Sequence, residues 1–212
     1  MKISGSVLFL ALTLALHAAA EEDRTRLDPE ELPEEWADFQ RQLTERRWVE
    51  AELLEERYFP FRFRPVELTG TVWYGREEGL TLNYREPRQE VIRIDANGVR
   101  VIESDGRRRS REIPEQGREI PAALLSMFRL DFAELGEVFA IHGRRDGNSW
   151  ALRFTPHDED AAPVERMELA GENDEIHRIV IERTSRRRIE LTLSNATFPS
   201  ELDEDERERA FP

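Results

Sequence analysis

The chain of 212 residues has no cysteine. A disulfide framework, a thiol nucleophile and a thiolate metal site are therefore excluded, as is lipid attachment to a cysteine behind a leader peptide. Lysine is confined to Lys2, and all other basic side chains are arginine. Histidine is scarce: His17 sits near the start, and His142, His157 and His177 are scattered without the paired spacing of a metal site. "HDED" from His157 to Asp160 reads as a polar hairpin loop rather than a cation site. There is no G-x-S-x-G and no phosphate-cradling glycine loop. With 45 Asp and Glu, no catalytic carboxylate pair stands out. These absences lead us to expect no enzyme, no catalytic residue, no metal and no cofactor.

Long apolar runs are nearly absent too. Residues 3–16 form a short one behind Lys2, followed by "HAAA" with Ala18 and Ala20 at the −3 and −1 spacing of a leader-peptidase site. The run is too short to span a membrane comfortably. We expect a signal peptide over 1–20, cleaved near Ala20, and export to the periplasm. The formal net charge of −14 argues against nucleic acid and against anionic membrane surfaces as partners.

What is present is a change of period. After an acidic segment over 21–32, Trp36, Phe39, Gln40 and Leu43 fall on one helical stripe between Pro33 and Arg46. From Trp48 the apolar residues alternate, giving short strands around 49–53, 68–74, 80–84, 91–94 and 99–103 joined by turn-like links. A polar connection over 114–121 leads into "PAALLSMFRL", with Leu124, Leu125 and Phe128 at helical spacing. Next comes "DFAELGEVF", where Asp131 is placed to cap a helix containing Phe132. Alternation returns in strands around 139–142, 150–155, 166–169, 176–182 and 189–193. The tail over 200–212 is an acidic charge run, read as a solvated helix or a loose end. "NAT" at Asn195 fits a glycosylation pattern that a bacterial compartment leaves silent.

About ten consecutive strands with short links predict an antiparallel meander, and its apolar face needs a cover that only the helices supply. The fold class is mainly β with helices: a curved, unclosed antiparallel sheet under a lid of short helices, with an apolar cleft between the layers. An outer-membrane barrel is disfavoured because its strands need about 9–11 residues, longer than the runs read here, and because 36% of residues are charged.

Several stretches together resemble the periplasmic outer-membrane lipoprotein carrier family, LolA and its relatives. They are "AELLEERYFPFRFRPVELTGTVWYG" with Gly70 opening a strand, "GREEGLTLNYREP", "IRIDANGVRVI", "DGNSWALRFTP", "ELAGENDEIHRIVI" and "RIELTLSNATF". The match spreads over most of 34–198, within a carrier domain taken as 33–199. The resemblance implies an unclosed half-barrel whose cavity takes the acyl chains of lipoproteins during transit to the outer membrane. It implies an inner-membrane exporter and an outer-membrane receptor as partners of a monomer. Glu77 and Leu82 depart from the family's proline and tryptophan, and the acidic tail replaces its final strand.

Combining the alternation with the resemblance, the candidate cavity wall is Val72, Tyr74, Leu80, Leu82, Ile92, Ile94, Trp150, Leu152, Phe154, Ile179, Ile181, Leu191 and Leu193. The candidate lid is Trp36, Phe39, Leu43, Leu124, Leu125, Phe128 and Phe132. The resemblance also implies that Arg76 latches the lid by donating to helix carbonyls. As a residue of "GREEG", it is equally placed to pair with Glu77 or Glu78 in a solvated turn. Two further roles fit the same fold: an adaptor sensing lipidated or misfolded envelope proteins, and a carrier for a glycolipid or lipid-linked metabolite. A lipid hydrolase would need a clustered nucleophile and base that the chain does not display.

Overall fold

The computed structural model describes residues 24–103, 108–109, 121, 124–158, 162, 164–183 and 186–212. Residues 1–20, read as a leader peptide, and most of the 114–121 connection lie outside the described residues. The chain runs β1 (Thr25–Leu27), α1 (Glu34–Glu45), β2 (Trp48–Tyr58), β3 (Val66–Gly75), β4 (Gly79–Glu86), β5 (Glu90–Asp95), β6 (Gly98–Glu103) and β7 (Arg108–Arg109). It continues with α2 (residues 124–129), α3 (Phe132–Val138), β8 (Phe139–Asp146), β9 (Ser149–Pro156), β10 (Val164–Glu172), β11 (Glu175–Arg183), β12 (Arg187–Thr197) and α4 (Glu204–Ala210).

All the strands form one twelve-stranded sheet in the order β1-β8-β9-β10-β11-β12-β2-β3-β4-β5-β6-β7. Every neighbouring pair is antiparallel. The two ends, β1 and β7, do not pair with each other, so the sheet is unclosed, as expected. Two consecutive meanders meet along β12 and β2, where Leu191 faces Glu55 and Leu193 faces Leu53.

The inner face is written by alternation. Tyr74, Leu80 and Ile94 stand opposite one another across β3, β4 and β5, as do Val72, Leu82 and Ile92. Phe154, Met167 and Ile181 make the matching row across β9, β10 and β11. The outer face is charged: Glu168 takes Arg24 and Arg153 at 3.1 Å each, and Glu182 takes Arg166 at 3.0 Å. These cross-strand pairs explain why the strands outrun the apolar runs. β2 and β12 each reach 11 residues, longer than read from the sequence, because pairing continues through charged positions such as Arg188 opposite Tyr58.

Two elements differ from expectation. Residues 25–27, read as part of a loose acidic segment, form an edge strand on β8, with Leu27 buried. The acidic tail is a helix docked on the outer face. Asp203 and Glu206 form a capping box at its start. Ala210 and Phe211 are buried against Trp48, Trp73 and Leu202 in a small second core. Arg207 pairs with the buried Glu78, and Arg93 donates to the Phe211 carbonyl at 2.6 Å.

Candidate functional site

The helices bring a second apolar layer to the inner face. In α1, Glu34 and Glu35 occupy the first turn, where the helix dipole favours negative charge, and Trp36 and Phe39 are buried. At Gly143 on β8 an added Cβ would lie 2.4 Å from the Trp36 ring, so the missing side chain is what lets the indole sit against the strand. Asp131 accepts from the Glu134 amide at 3.0 Å and caps α3, as its place in the sequence predicts.

Of the wall residues, Val72, Tyr74, Leu80, Leu82, Ile94, Trp150, Leu152, Phe154, Ile179, Ile181, Leu191 and Leu193 are buried in one cluster, and Ile92 packs half-buried against it. Trp36, Phe39, Leu124, Leu125, Phe128 and Phe132 join the same cluster, with Leu43 half-buried at its edge. The two layers meet through rings. Phe39 lies 4.7 Å from Trp150, and Phe128 lies 5.8 Å from Tyr74. Trp36 bridges Phe39 and Phe132 by edge-on contacts at 5.6 and 6.5 Å. This is a closed arrangement, in which the lid's own side chains occupy the wall.

Polar ties between and beside the layers are made by side chains. Gln40 donates to the Leu130 carbonyl at 2.8 Å, joining α1 to the end of α2. Arg145 on β8 donates to the Glu35 carbonyl at 3.0 Å and lies 5.2 Å from the Phe39 ring. The positive charge of Arg129, at the end of α2, acts on the Tyr74 hydroxyl. Burial pushes the Tyr74 phenol above its ordinary pKa, against a smaller opposing pull from Arg129 and Arg76.

Arg76 is exposed in the β3–β4 turn. Its backbone amide donates to the Arg47 carbonyl at 3.2 Å, and its side chain is felt by the Tyr74 hydroxyl. The charge that this turn buries is Glu78, held by Arg207 of α4, while Glu77 faces Arg47 at 3.8 Å. An arginine bond between wall and lid is that of Arg145 on β8, which donates to the Glu35 carbonyl of α1.

Sequence reasoning missed a polar group on the wall. Glu55 follows Val49, Ala51 and Leu53 on the inner parity of β2 and is only 4% exposed. It accepts from the Tyr84 hydroxyl and from Arg57 Nε, the latter at 2.5 Å. Burial, then the Glu55 charge, pushes the Tyr84 phenol well above its usual range. The signal was a carboxylate in phase with an apolar row. The wall thus ends in a satisfied acid–phenol–guanidinium cluster rather than in solvent. A cavity of about 340 Å³ lies on the other side of this edge, where Asn83, Val91 and Ile102 share the opposite parity.

Histidines stay apart: His142 on β8, His177 on β11, and His157 against the Gly136 carbonyl at 3.0 Å. Among the described residues there is no cluster of three or more metal-ligating side chains, and no helix is long and apolar enough to cross a membrane.

No protein-family model and no curated protein matches the sequence. Solved structures do. A DUF1329 family protein from Desulfovibrio piger aligns at 8% identity and TM-score 0.45 over 80% of this chain and 93% of that one. A LolA superfamily protein from Nitrosomonas europaea aligns at 12% and 0.41, over 83% and 96%. A chain of the Pseudomonas aeruginosa MucA/MucB complex aligns at 14% and 0.45, over 81% of this chain and 58% of that one. At such identities and scores the likenesses assign no role, and the site stands on its own geometry.

Proposed function

We propose that the protein is a periplasmic carrier that shelters the acyl chains of a lipidated cargo between the inner face of its sheet and the α1–α3 lid, without covalent chemistry. The observation that carries this reading is how the two layers meet. Among the described residues, no backbone-to-backbone hydrogen bond joins α1 or α2 to a strand. Their contact with the wall is made by buried apolar side chains and a few side-chain hydrogen bonds, so α1 and α2 can part from it without unmaking the sheet. The third helix, α3, stays tied through its Val138 carbonyl, which accepts from the His157 amide at 3.0 Å.

The magnitudes favour a ligand-driven opening. Each side-chain tie contributes about 1 kcal/mol net. Each methylene moved from water into the space between wall and lid, once the lid rings yield it, contributes about 0.8 kcal/mol. A long acyl chain outweighs the ties and replaces the lid rings as partner of Tyr74 and Trp150, so the ligand tips a modest equilibrium. The wall is apolar over β3–β5 and β9–β12, as a chain without hydrogen-bonding groups requires.

The test uses a peptide carrying one palmitoyl chain and the same peptide without it. Native mass spectrometry is expected to find a one-to-one complex with the acylated peptide only. Binding of both peptides alike, or of neither, overturns the proposal.

A further inference from the structure

We propose that the β2–β3 loop is an anchor for the surface of an anionic lipid bilayer. The inference does not rest on the carrier reading, since it concerns the outside of the molecule.

Residues 58–66 read YFPFRFRPV. Phe61 is 77% exposed and Phe63 is 109% exposed, as open to water as a side chain becomes. Single exposed apolar residues are ordinary, but two neighbouring rings at one tip form a patch that calls for a partner. The tip is held up rather than loose. Arg62 donates its amide to the Phe59 carbonyl at 3.1 Å, closing a turn. The Phe59 ring lies 5.6 Å from Phe61, and the Arg187 guanidinium of β12 lies over the Phe59 ring, 5.9 Å from its centre.

The charge around the tip is of one sign. No carboxylate occurs from 57 to 66 or from 183 to 188, although the whole chain carries −14. These two segments adjoin, because Arg188 is the register partner of Tyr58. Arg62, Arg64, Arg186 and Arg187 are exposed there. The flanking acids are engaged elsewhere: Glu55 with Arg57, Glu190 with Arg178 and Arg188, Glu182 with Arg166, and Glu56 with the Tyr58 hydroxyl. Glu67 is the exposed exception at the start of β3.

Exposed rings ringed by arginine match the two layers of an anionic interface. The rings enter the headgroup–acyl boundary, and guanidinium groups bind lipid phosphates in pairs of hydrogen bonds. A protein partner would need a pocket shaped to this convex tip, whereas a bilayer accepts it without shape complementarity. The acidic remainder of the molecule is repelled by the same surface, so attachment is confined to this end, reversible and sensitive to salt.

Flotation with phosphatidylethanolamine vesicles containing phosphatidylglycerol, against phosphatidylcholine vesicles, tests this. The wild-type chain is expected to float with the anionic vesicles and to detach as salt rises. The double variant Phe61→Ser/Phe63→Ser is expected to lose about tenfold or more in vesicle affinity, and Arg62→Gln/Arg64→Gln to lose its salt-sensitive part. All four side chains are exposed, so unchanged melting of the variants shows that folding is not the cause. In Phe63→Trp, tryptophan emission should shift to the blue on anionic vesicles only. Failure of the wild type to bind, binding indifferent to lipid charge, or undiminished binding by the phenylalanine variant overturns the proposal. Loss of a soluble protein partner in that variant, with no vesicle binding by the wild type, would make the loop a protein interface instead.

Discussion

Replacing Phe128 with alanine is expected to weaken the empty protein and strengthen its hold on an acyl chain. Phe128 is 9% exposed, on the lid, with its ring 5.8 Å from Tyr74 of the wall. Truncating a buried phenylalanine costs about 3 kcal/mol at the lower end of its range, through lost transfer energy and the cavity left behind. For a chain of this size that lowers the melting temperature by roughly 6–12 °C. The cavity is lined by the apolar residues proposed to receive cargo, and an acyl chain no longer has to displace the ring. Melts with and without palmitoylated peptide check both signs. Added ligand should restore more stability to the variant than it adds to wild type. Destabilisation with no ligand rescue would mean that Phe128 is core and nothing more. Leu80→Glu is a poorer probe, because Leu80 is fully buried and an unpaired charge there disrupts folding whether or not cargo binds.

Gly70→Ala is expected to cost about as much by the opposite route. An added Cβ would lie 2.2 Å from the Asn83 carbonyl oxygen and 2.9 Å from Tyr84 Cα. Both are backbone atoms in the interior of the sheet, where neither strand can yield cheaply. The register between β3 and β4 already shifts between Thr69 and Gly70, so the glycine marks an irregular close approach. Overpacking against backbone is expected to cost about 3 kcal/mol and to displace Tyr84 from Glu55. The measurement is denaturant unfolding, with the near-ultraviolet signal of the tyrosines followed alongside. An unchanged midpoint would contradict the close β3–β4 approach.

Much of the frame could be read from residues in sequence order. Alternation exposed the rows through Val72 and Tyr74, Leu80 and Leu82, and Leu152 and Phe154, because one face of each strand is buried and a slip of one residue would reverse it. Helical spacing located Trp36 and Phe39, and Asp131 announced its cap. The features that escaped depend on partners far away in the chain. β1 has only Leu27 as an apolar signal, and its pairing to His142 and Gly143 is long-range. The α4 helix reads as solvated because its own residues are nearly all charged. Its docking rests on Phe211 meeting Trp48, whose outer-face position follows only from the register of β2. Glu55 looked like an ordinary surface acid until its parity placed it inside. Arg76 continues the parity of an apolar row but lies exposed in the turn after Gly75, an environment that the period of the row does not report.

The account depends most on where a bound acyl chain lies, and the four tryptophans report it directly. Trp36 and Trp150 belong to the core between wall and lid, whereas Trp48 and Trp73 pack on the outer face beneath α4. A peptide acylated with a mid-chain dibrominated fatty acid quenches indoles that it touches. In a Trp48→Phe/Trp73→Phe background, binding of that peptide is expected to quench the remaining emission strongly. Saturable binding that leaves Trp36 and Trp150 unquenched would place the chain outside the hollow and contradict the account.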